Sequence, residues 1–161
     1  MTKGNQLQTF YYNGTAFKTF SFATANGLSY SNETAKVSSK DHGKNPETEV
    51  TSSSWSFSGE MLFDAASANA ALGMAQSGEA YTFAFGSISQ SAWQDGLESV
   101  TDVSTNTAWT PGTEFIRYGN GIITSFQVTA NDGETATASV EIEGSGALLS
   151  TAPSTKKGYT N

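Results

Sequence analysis

The clearest pattern of apolar and polar positions in this chain runs from Val50 to Phe63. Trp55, Phe57 and Met61 alternate there with serines and Glu60. Successive side chains of a β-strand point to opposite faces of the sheet, so this period of two predicts a strand with one buried face and one polar face.

A second alternating stretch predicts a hairpin near the C-terminal end. Two runs, Ile122–Ala130 and Glu134–Glu143, flank the turn sequence Asn131-Asp132-Gly133. In the first run, Ile122, Thr124, Phe126 and Val128 alternate with Ile123, Ser125, Gln127 and Thr129. In the second, Ala136, Ala138, Val140 and Ile142 alternate with Thr135, Thr137, Ser139, Glu141 and Glu143. We expect a hairpin with one apolar face.

The N-terminal third predicts two further hairpins. Gln6–Tyr12 and Phe17–Phe22 are joined by Asn13-Gly14, a pair that favours tight hairpin turns. The run Leu28–Val37 would pair with the Val50–Phe63 strand across the segment 38–48. That segment contains no apolar residue, and Gly, Asn-Pro and charges indicate a long polar loop.

One segment predicts a helix. Residues 64–75 are rich in alanine, Asp64 or Ser67 can serve as N-cap, and Gly78 lies near the expected C-terminal end. Beyond it, 80–88 reads as an aromatic strand, and 90–112 as an irregular loop or short hairpin anchored by Trp93 and Trp109. A strand over 113–118 would end at Gly119-Asn120-Gly121, which indicates a turn or bulge.

Roughly eight strands and one helix predict a mainly all-β fold: an antiparallel β-sandwich or barrel with one flanking α-helix and a long polar hairpin loop. The length of 161 residues suits a single domain spanning 1–161. We expect a flexible N-terminal segment and a C-terminal arm from about residue 144.

Composition narrows the functional classes. The chain has no cysteine, which excludes disulfides and thiolate metal sites, and its one histidine, His42, excludes a multi-histidine centre. No basic start followed by an apolar run is present, so we expect neither a signal peptide nor a membrane span. The net charge of −7 argues against binding duplex DNA through its phosphates.

The predicted non-core strand faces carry hydroxyls, carboxylates and amides but no lysine or arginine. They comprise Ser29, Ser31, Glu33, Ser52, Ser54, Ser56, Ser58, Glu60, Ser125, Gln127, Thr129, Thr135, Thr137, Ser139, Glu141 and Glu143. A chance outcome of acidic composition would explain this, and so would a surface that must not hold a polyanion.

Basic residues cluster instead in the predicted loop, which contains Ser38, Ser39, Lys40, Asp41, His42, Gly43, Lys44 and Asn45. Such a loop can be simply solvated, or it can dock on an acidic surface of another subunit.

Catalytic patterns are weak. His42 and Asp41 could join a serine in a triad, but they lie in a polar loop without a nucleophile turn. Glu141 and Glu143 share a strand face at a spacing that any strand provides. Asp132-Gly133 is typical of a turn and not of a calcium-binding loop. Trp93 and Trp109 could form a sugar-binding platform or anchor the irregular segment to the core. We therefore expect no enzyme, metal or cofactor.

Two pairs of motifs, which occur in the expected order along the chain, carry a family resemblance. The run 33–43 (ETAKVSSKDHG) leading to 54–60 (SWSFSGE), and the run 122–134 (IITSFQVTANDGE) leading to 139–146 (SVEIEGSG), resemble the corresponding motifs of phage major tail tube proteins. Together they cover about half of the chain.

The resemblance implies a structural virion protein that assembles into stacked hexameric rings, the conduit for DNA ejection. Two hairpins per subunit would line the channel, the loop would reach an adjacent ring, and terminal segments would bridge subunits. Implied partners are other copies, tail terminator, tape measure and baseplate or tip proteins, and DNA passing without specific binding. Assembly would occur in the host bacterial cytoplasm. The alternative is a β-sandwich binding module of carbohydrate-binding or adhesin type.

Overall fold

The computed structural model describes residues 4–15, 17–20, 23–87 and 115–160, apart from the side chains of Asn5 and His42. Within these ranges the chain forms one antiparallel sheet of seven strands and one α-helix, which confirms the predicted fold class. The strands are β1 (Leu7–Tyr12), β2 (Phe17–Thr19), β3 (Ala23–Val37), β4 (Glu47–Leu62), β5 (Tyr81–Ser87), β6 (Ile116–Thr129) and β7 (Thr137–Gly144), and the helix is α1 (Ala65–Ser77). The sheet order is β2-β1-β5-β6-β7-β4-β3.

The predicted hairpins and helix are present. The β1–β2 turn contains Gly14 at φ +99°, a backbone conformation that glycine adopts readily. Helix α1 begins after Asp64, whose carboxylate accepts a hydrogen bond from Ser67 N at 3.1 Å, and ends at Gly78 in the left-handed conformation. Both signals had marked these ends in the sequence.

The core lies between the curled sheet and α1. Phe57, Phe83 and Ile142 are completely buried, and Ala71 and Met74 of the helix pack against the same cluster. The sheet curls far enough for β1 to approach β3. The contact is a hydrogen bond of 3.3 Å that Asn26 Nδ2 donates to the Leu7 carbonyl. We call the side of the sheet that bears Phe57 and Ile142 the core face.

The predicted break at Gly119-Asn120-Gly121 is wrong. Strand β6 runs through it without a turn, pairing with β5 up to Gly121 and with β7 from Gly121 onward. The glycines permit a close approach instead: a Cβ on Gly119 or Gly144 would overlap the indole of Trp55. Trp55 is buried and donates from Nε1 to the Gly146 carbonyl at 3.0 Å.

A β-bulge corrects the predicted alternation along β6. Ile123 pairs with Ile142 and Ser125 with Glu141, so Thr124 is an extra residue in β6. The bulge shifts the alternation by one position, and Ile123 is buried while Ile122 is exposed. A strict period of two had placed Ile122 on the apolar side with Phe126.

Candidate functional site

The residues predicted to line a channel lie on four adjacent strands in the order β6-β7-β4-β3. In one row across these strands, Ile122 pairs with Glu143, Glu143 with Ser56, and Ser56 with Ser29. A row further along joins Gln127 to Ser139 and Ser139 to Glu60. Paired residues share a face of the sheet, so these side chains lie together opposite the core face.

We call this surface the polar face. Of the sixteen residues predicted from sequence, fifteen belong to it by strand register: Ser29, Ser31, Glu33, Ser52, Ser54, Ser56, Ser58, Glu60, Ser125, Gln127, Thr129, Thr137, Ser139, Glu141 and Glu143. The remaining one, Thr135, precedes β7, which begins at Thr137 rather than at Glu134.

Sequence reasoning missed several members of the polar face, among them four in the rows that reach β7. Ala25 pairs with Glu60, Gly27 with Ser58, Leu62 with Thr137, and Ile122 with Glu143. The β6 bulge hid Ile122, and β3 extends to Ala23, five residues before the predicted start at Leu28. Leu62 and Ile122 place an apolar side chain near each end of an otherwise polar surface.

The charges on the polar face have one sign. Glu33, Glu60, Glu141 and Glu143 are exposed there. Across the described strands β3, β4, β6 and β7, no lysine or arginine shares this side. Lys36 lies on the opposite side of β3, where its Nζ donates to Thr48 Oγ1 at 2.7 Å.

Short hydrogen bonds tie the polar face together between strands. Ser31 and Ser54 hydroxyls lie 3.0 Å apart, and Ser52 Oγ donates to Glu33 Oε2 at 3.2 Å. The hydroxyls therefore partly satisfy one another and project only a short distance from the sheet.

The polar face is grooved rather than flat. A depression of about 430 Å³ is lined by serines of β3 and β4 together with Thr124, Glu141 and Glu143. Two more follow along the same face, beside Gln127 and Ser139.

The predicted loop forms the tip of a long hairpin. Strands β3 and β4 pair from Ala23 with Met61 to Val37 with Glu47, so the hairpin continues well beyond the row of Ser29 and Ser56. At its tip, Lys40–His42 form a 3-10 turn and Gly43 has φ +61°. The side chains of Lys40, Asp41 and Lys44 are exposed.

The described residues among the other sequence candidates are not arranged as a catalytic site. Asp41 is exposed at the hairpin tip, and the side chain of His42 is outside the described part of the chain, as are Trp93 and Trp109 with the whole of 90–112. Asp132 and Gly133 lie in the β6–β7 turn. Among the described residues, no group of three or more His, Asp or Glu is placed to hold a metal ion. No described helix is long and apolar enough to cross a bilayer.

The C-terminal arm, residues 145–160, lies along its own subunit. Leu149 and Tyr118 exchange backbone hydrogen bonds of 2.7 and 2.8 Å, and Lys157 bonds to Thr82 through both of its backbone groups. Tyr159 N donates to the Tyr12 carbonyl, and the Tyr159 ring meets Tyr81 edge-on. Bridging of subunits by this arm stays a prediction.

Both the sequence and the fold of this chain have counterparts among known proteins. A family model described as "Phage tail tube protein" matches residues 7–150. No curated protein matches the sequence.

Three solved structures are similar to this chain in fold. The tail of an empty gene transfer agent particle, refined with C6 symmetry, has a TM-score of 0.67 at 23% identity and covers 94% of this chain and 100% of its own. A native gene transfer agent virion has a TM-score of 0.65 at 22% identity and covers 94% of this chain and 100% of its own. The SPP1 tail tube, determined by solid-state NMR and cryo EM, gives 0.64 at 12% identity and covers 100% of this chain and 81% of its own.

Proposed function

Because this chain belongs to the phage tail tube protein family, we propose that six copies form a ring and that stacked rings form the hollow tube through which DNA leaves the virion. The observation that carries the proposal is the polar face, a surface over four adjacent strands with carboxylates and hydroxyls but no lysine or arginine among its described residues. In the tube this face would line the channel.

The chemistry of the polar face suits a passage rather than a binding site. Proteins hold duplex DNA by neutralising phosphates with lysine and arginine. A wall of serine, threonine and glutamate offers no such neutralisation, and its carboxylates repel phosphates that come within a Debye length of about 8–10 Å. DNA would therefore slide along this wall without being retained.

The dimensions agree with a DNA channel. Four strands from each of six subunits give twenty-four strands, which at ~4.8 Å spacing and ~40° tilt close into a barrel about 48 Å across at the backbone. Side chains reduce this to a bore of roughly 35–40 Å, through which duplex DNA passes. The sixfold symmetry of the similar gene transfer agent tail supports six copies here.

The directions of the strands also support a closed ring. Along the order β6-β7-β4-β3 each strand is antiparallel to its neighbour. Rotation about a ring axis preserves direction, so β6 of one copy would meet β3 of the next in antiparallel orientation. Every junction could then continue the same hydrogen-bond ladder, and the barrel around the channel would have no open edge.

The loop at the hairpin tip (Ser38–Asn45) would contact the adjacent ring. Its exposed position beyond the rest of the sheet and its lysines support this role. Tail terminator, tape measure and baseplate or tip proteins would be further partners, as the family implies. The protein would act in the virion tail after assembly in the host cytoplasm, without catalysis and without a membrane contact.

The channel assignment is tested by reversing charge on the polar face. Phage carrying Glu141→Lys and Glu143→Lys should form tails of normal length, because both side chains are exposed, but should deliver less DNA. Glu141→Gln with Glu143→Gln is the matched control, which removes charge without adding attraction for phosphate. Intact tails are counted by electron microscopy and ejected DNA is quantified; normal delivery by the lysine variant with intact tails contradicts the assignment.

A further inference from the structure

We propose that neighbouring copies in a ring pair β3 of one copy with β6 of the next in one register, with Ser29 opposite Gln127 of the neighbouring copy and Tyr30 opposite Phe126 of the neighbouring copy. This inference rests on the proposed ring and adds the alignment of the β3–β6 contact, residue against residue.

Each of the two strands has an open edge of matching length. On β3, Asn26 bonds to β1 through Leu7, whereas from Leu28 to Val37 no described strand lies beside the outer edge. On β6, the first part pairs with β5 as far as Gly121, and Ile122–Thr129 has no described strand on that side. Open edges invite pairing with another chain.

The tilt of strands in a barrel limits the alignment. If the rows within one copy continued straight into the next, Gln127 would meet Ala25, because these residues share a row through Ser139 and Glu60. A closed barrel requires an offset along the strands at each junction. The offset must be even, since an odd one would set the polar face of one copy against the core face of the next.

Two offsets give an acceptable tilt. With four strands per copy, an offset of four residues corresponds to a tilt of about 35°, and one of six residues to about 46°. Both must run toward the hairpin tip, because the opposite direction would carry half or more of the β6 edge past Ala23, where β3 begins.

The side chains favour the offset of four. On the core face it places Leu28 opposite Val128 and Tyr30 opposite Phe126 of the neighbouring copy, so that apolar meets apolar. On the polar face it pairs Ser29 with Gln127 and Ser31 with Ser125. An offset of six would instead place Asn32 against Phe126.

The contact also explains why two large hydrophobic side chains, Tyr30 and Val128, are exposed to solvent in a single copy. Tyr30 is 54% exposed and Val128 is 45% exposed. Each lies on the core face at an open edge, beside the half-buried Leu28 or Phe126, which pack on the core. Pairing would cover both and join the cores of adjacent copies by an apolar strip.

Disulfide trapping tests the register, because the natural chain has no cysteine. Ser29→Cys with Gln127→Cys places two thiols directly opposite each other across the junction, with Cα atoms about 4.5–5.5 Å apart, a separation that a disulfide accepts. Ser31→Cys with Gln127→Cys is the matched control and reports the offset of six. Within one copy two strands, β4 and β7, lie between these positions, a separation of at least roughly 14 Å, so they cannot close an internal disulfide.

We expect oxidised tubes of the first variant to give a denaturing-gel ladder that reaches six subunits, with little ladder from the second. A stronger ladder from Ser31→Cys with Gln127→Cys overturns the register, and tubes that give neither ladder overturn the strand pairing. If the natural protein forms no rings or tubes when concentrated, the proposed function fails, and this inference fails with it.

Discussion

Trp55 shows how single residues fix the shape of this sheet. Its indole lies over Gly119 and Gly144 on neighbouring strands, and its Nε1 bonds to Gly146 at the start of the arm. The ring thus joins β4, β6, β7 and the arm at one point. The missing side chains of two glycines make this contact possible.

Gly119→Ala should therefore destabilise the fold. The added methyl overlaps a buried indole that has little room to move, and such overpacking costs about 1–3 kcal/mol. The free energy of unfolding is measured by urea titration. Gly4→Ala, where a Cβ meets nothing within 4 Å, is the control and should stay within about 0.5 kcal/mol of the natural protein. Equal stability of both variants would contradict the packing role of Gly119.

Tyr11 should make stability depend on alkaline pH. Burial, and secondarily the negative charge of Asp64, raise the pKa of this phenol above its ordinary value of 10.0. A raised folded-state pKa means that the contribution of Tyr11 is fully present below pH 10 and is lost as pH rises through the folded pKa. Tyr11→Phe should flatten the decline of unfolding free energy above pH 10, measured by chemical denaturation. A decline unaltered by Tyr11→Phe would contradict the assignment.

At the scale of elements, strand β6 and the C-terminal arm hold the sheet together. Strand β6 pairs with β5 in its first part and with β7 in its second, so it belongs to both halves of the curled sheet. The arm returns across β6, β5 and β1 through Leu149, Lys157 and Tyr159. The pairing of β6 with β5 and the docking of the arm are long-range arrangements, since these partners are distant in sequence.

Tyr159→Ala should loosen the arm. It removes the edge-on contact with Tyr81 and the contact with Gly73 of α1, but keeps the backbone bond to Tyr12. Because the side chain is half-buried, we expect a loss of about 1–2 kcal/mol and faster amide exchange at Lys157 and Tyr159. Thr160→Ala, at an exposed neighbouring position, is the control. Unchanged exchange in Tyr159→Ala would show that the arm does not depend on this ring.

Sequence patterns predicted the elements whose signals are local. The alternation around Trp55 and Phe57 predicted β4, Asp64 and Gly78 marked the ends of α1, and the serine-rich strand positions predicted the polar face. Three features depend on distant partners and gave no local signal. Gly119 looks like a turn residue until Trp55 is placed over it, the bulge at Thr124 is visible only in the pairing of β6 with β7, and the docking of the arm requires the finished sheet.

At the scale of the whole molecule, the outer part of the long β3–β4 hairpin extends away from the packed core. From Tyr30 to Ser54 nearly every residue is exposed. This part of the chain adds little to the core of a single copy, so its length is better explained by contacts between copies.

Deletion of residues 40–45 should separate folding from tube growth. The remaining Ser38, Ser39 and Pro46 still suffice for a short hairpin loop, so thermal unfolding should match that of the natural protein. We expect single rings or free subunits but no long tubes by electron microscopy. A second variant replaces the same residues with six alternating glycines and serines. It keeps the loop length and removes the charges, and so separates the contribution of loop length from that of loop charge. Long tubes from the deletion variant would exclude the stacking role.

The two hairpins of the polar face end on opposite sides of the molecule. The β3–β4 loop lies beyond the Ser29 row, whereas the β6–β7 turn, with Asp132 and Glu134, lies beyond the Thr129 and Thr137 row. Any ring made by rotation alone would then carry all its lysine-bearing loops on one rim and all its acidic turns on the other. A polymer of such rings has polarity, as a filament with a plus and a minus end does. Each end would present a different chemical surface, so two different capping proteins could each recognise one end of the tail without a further signal.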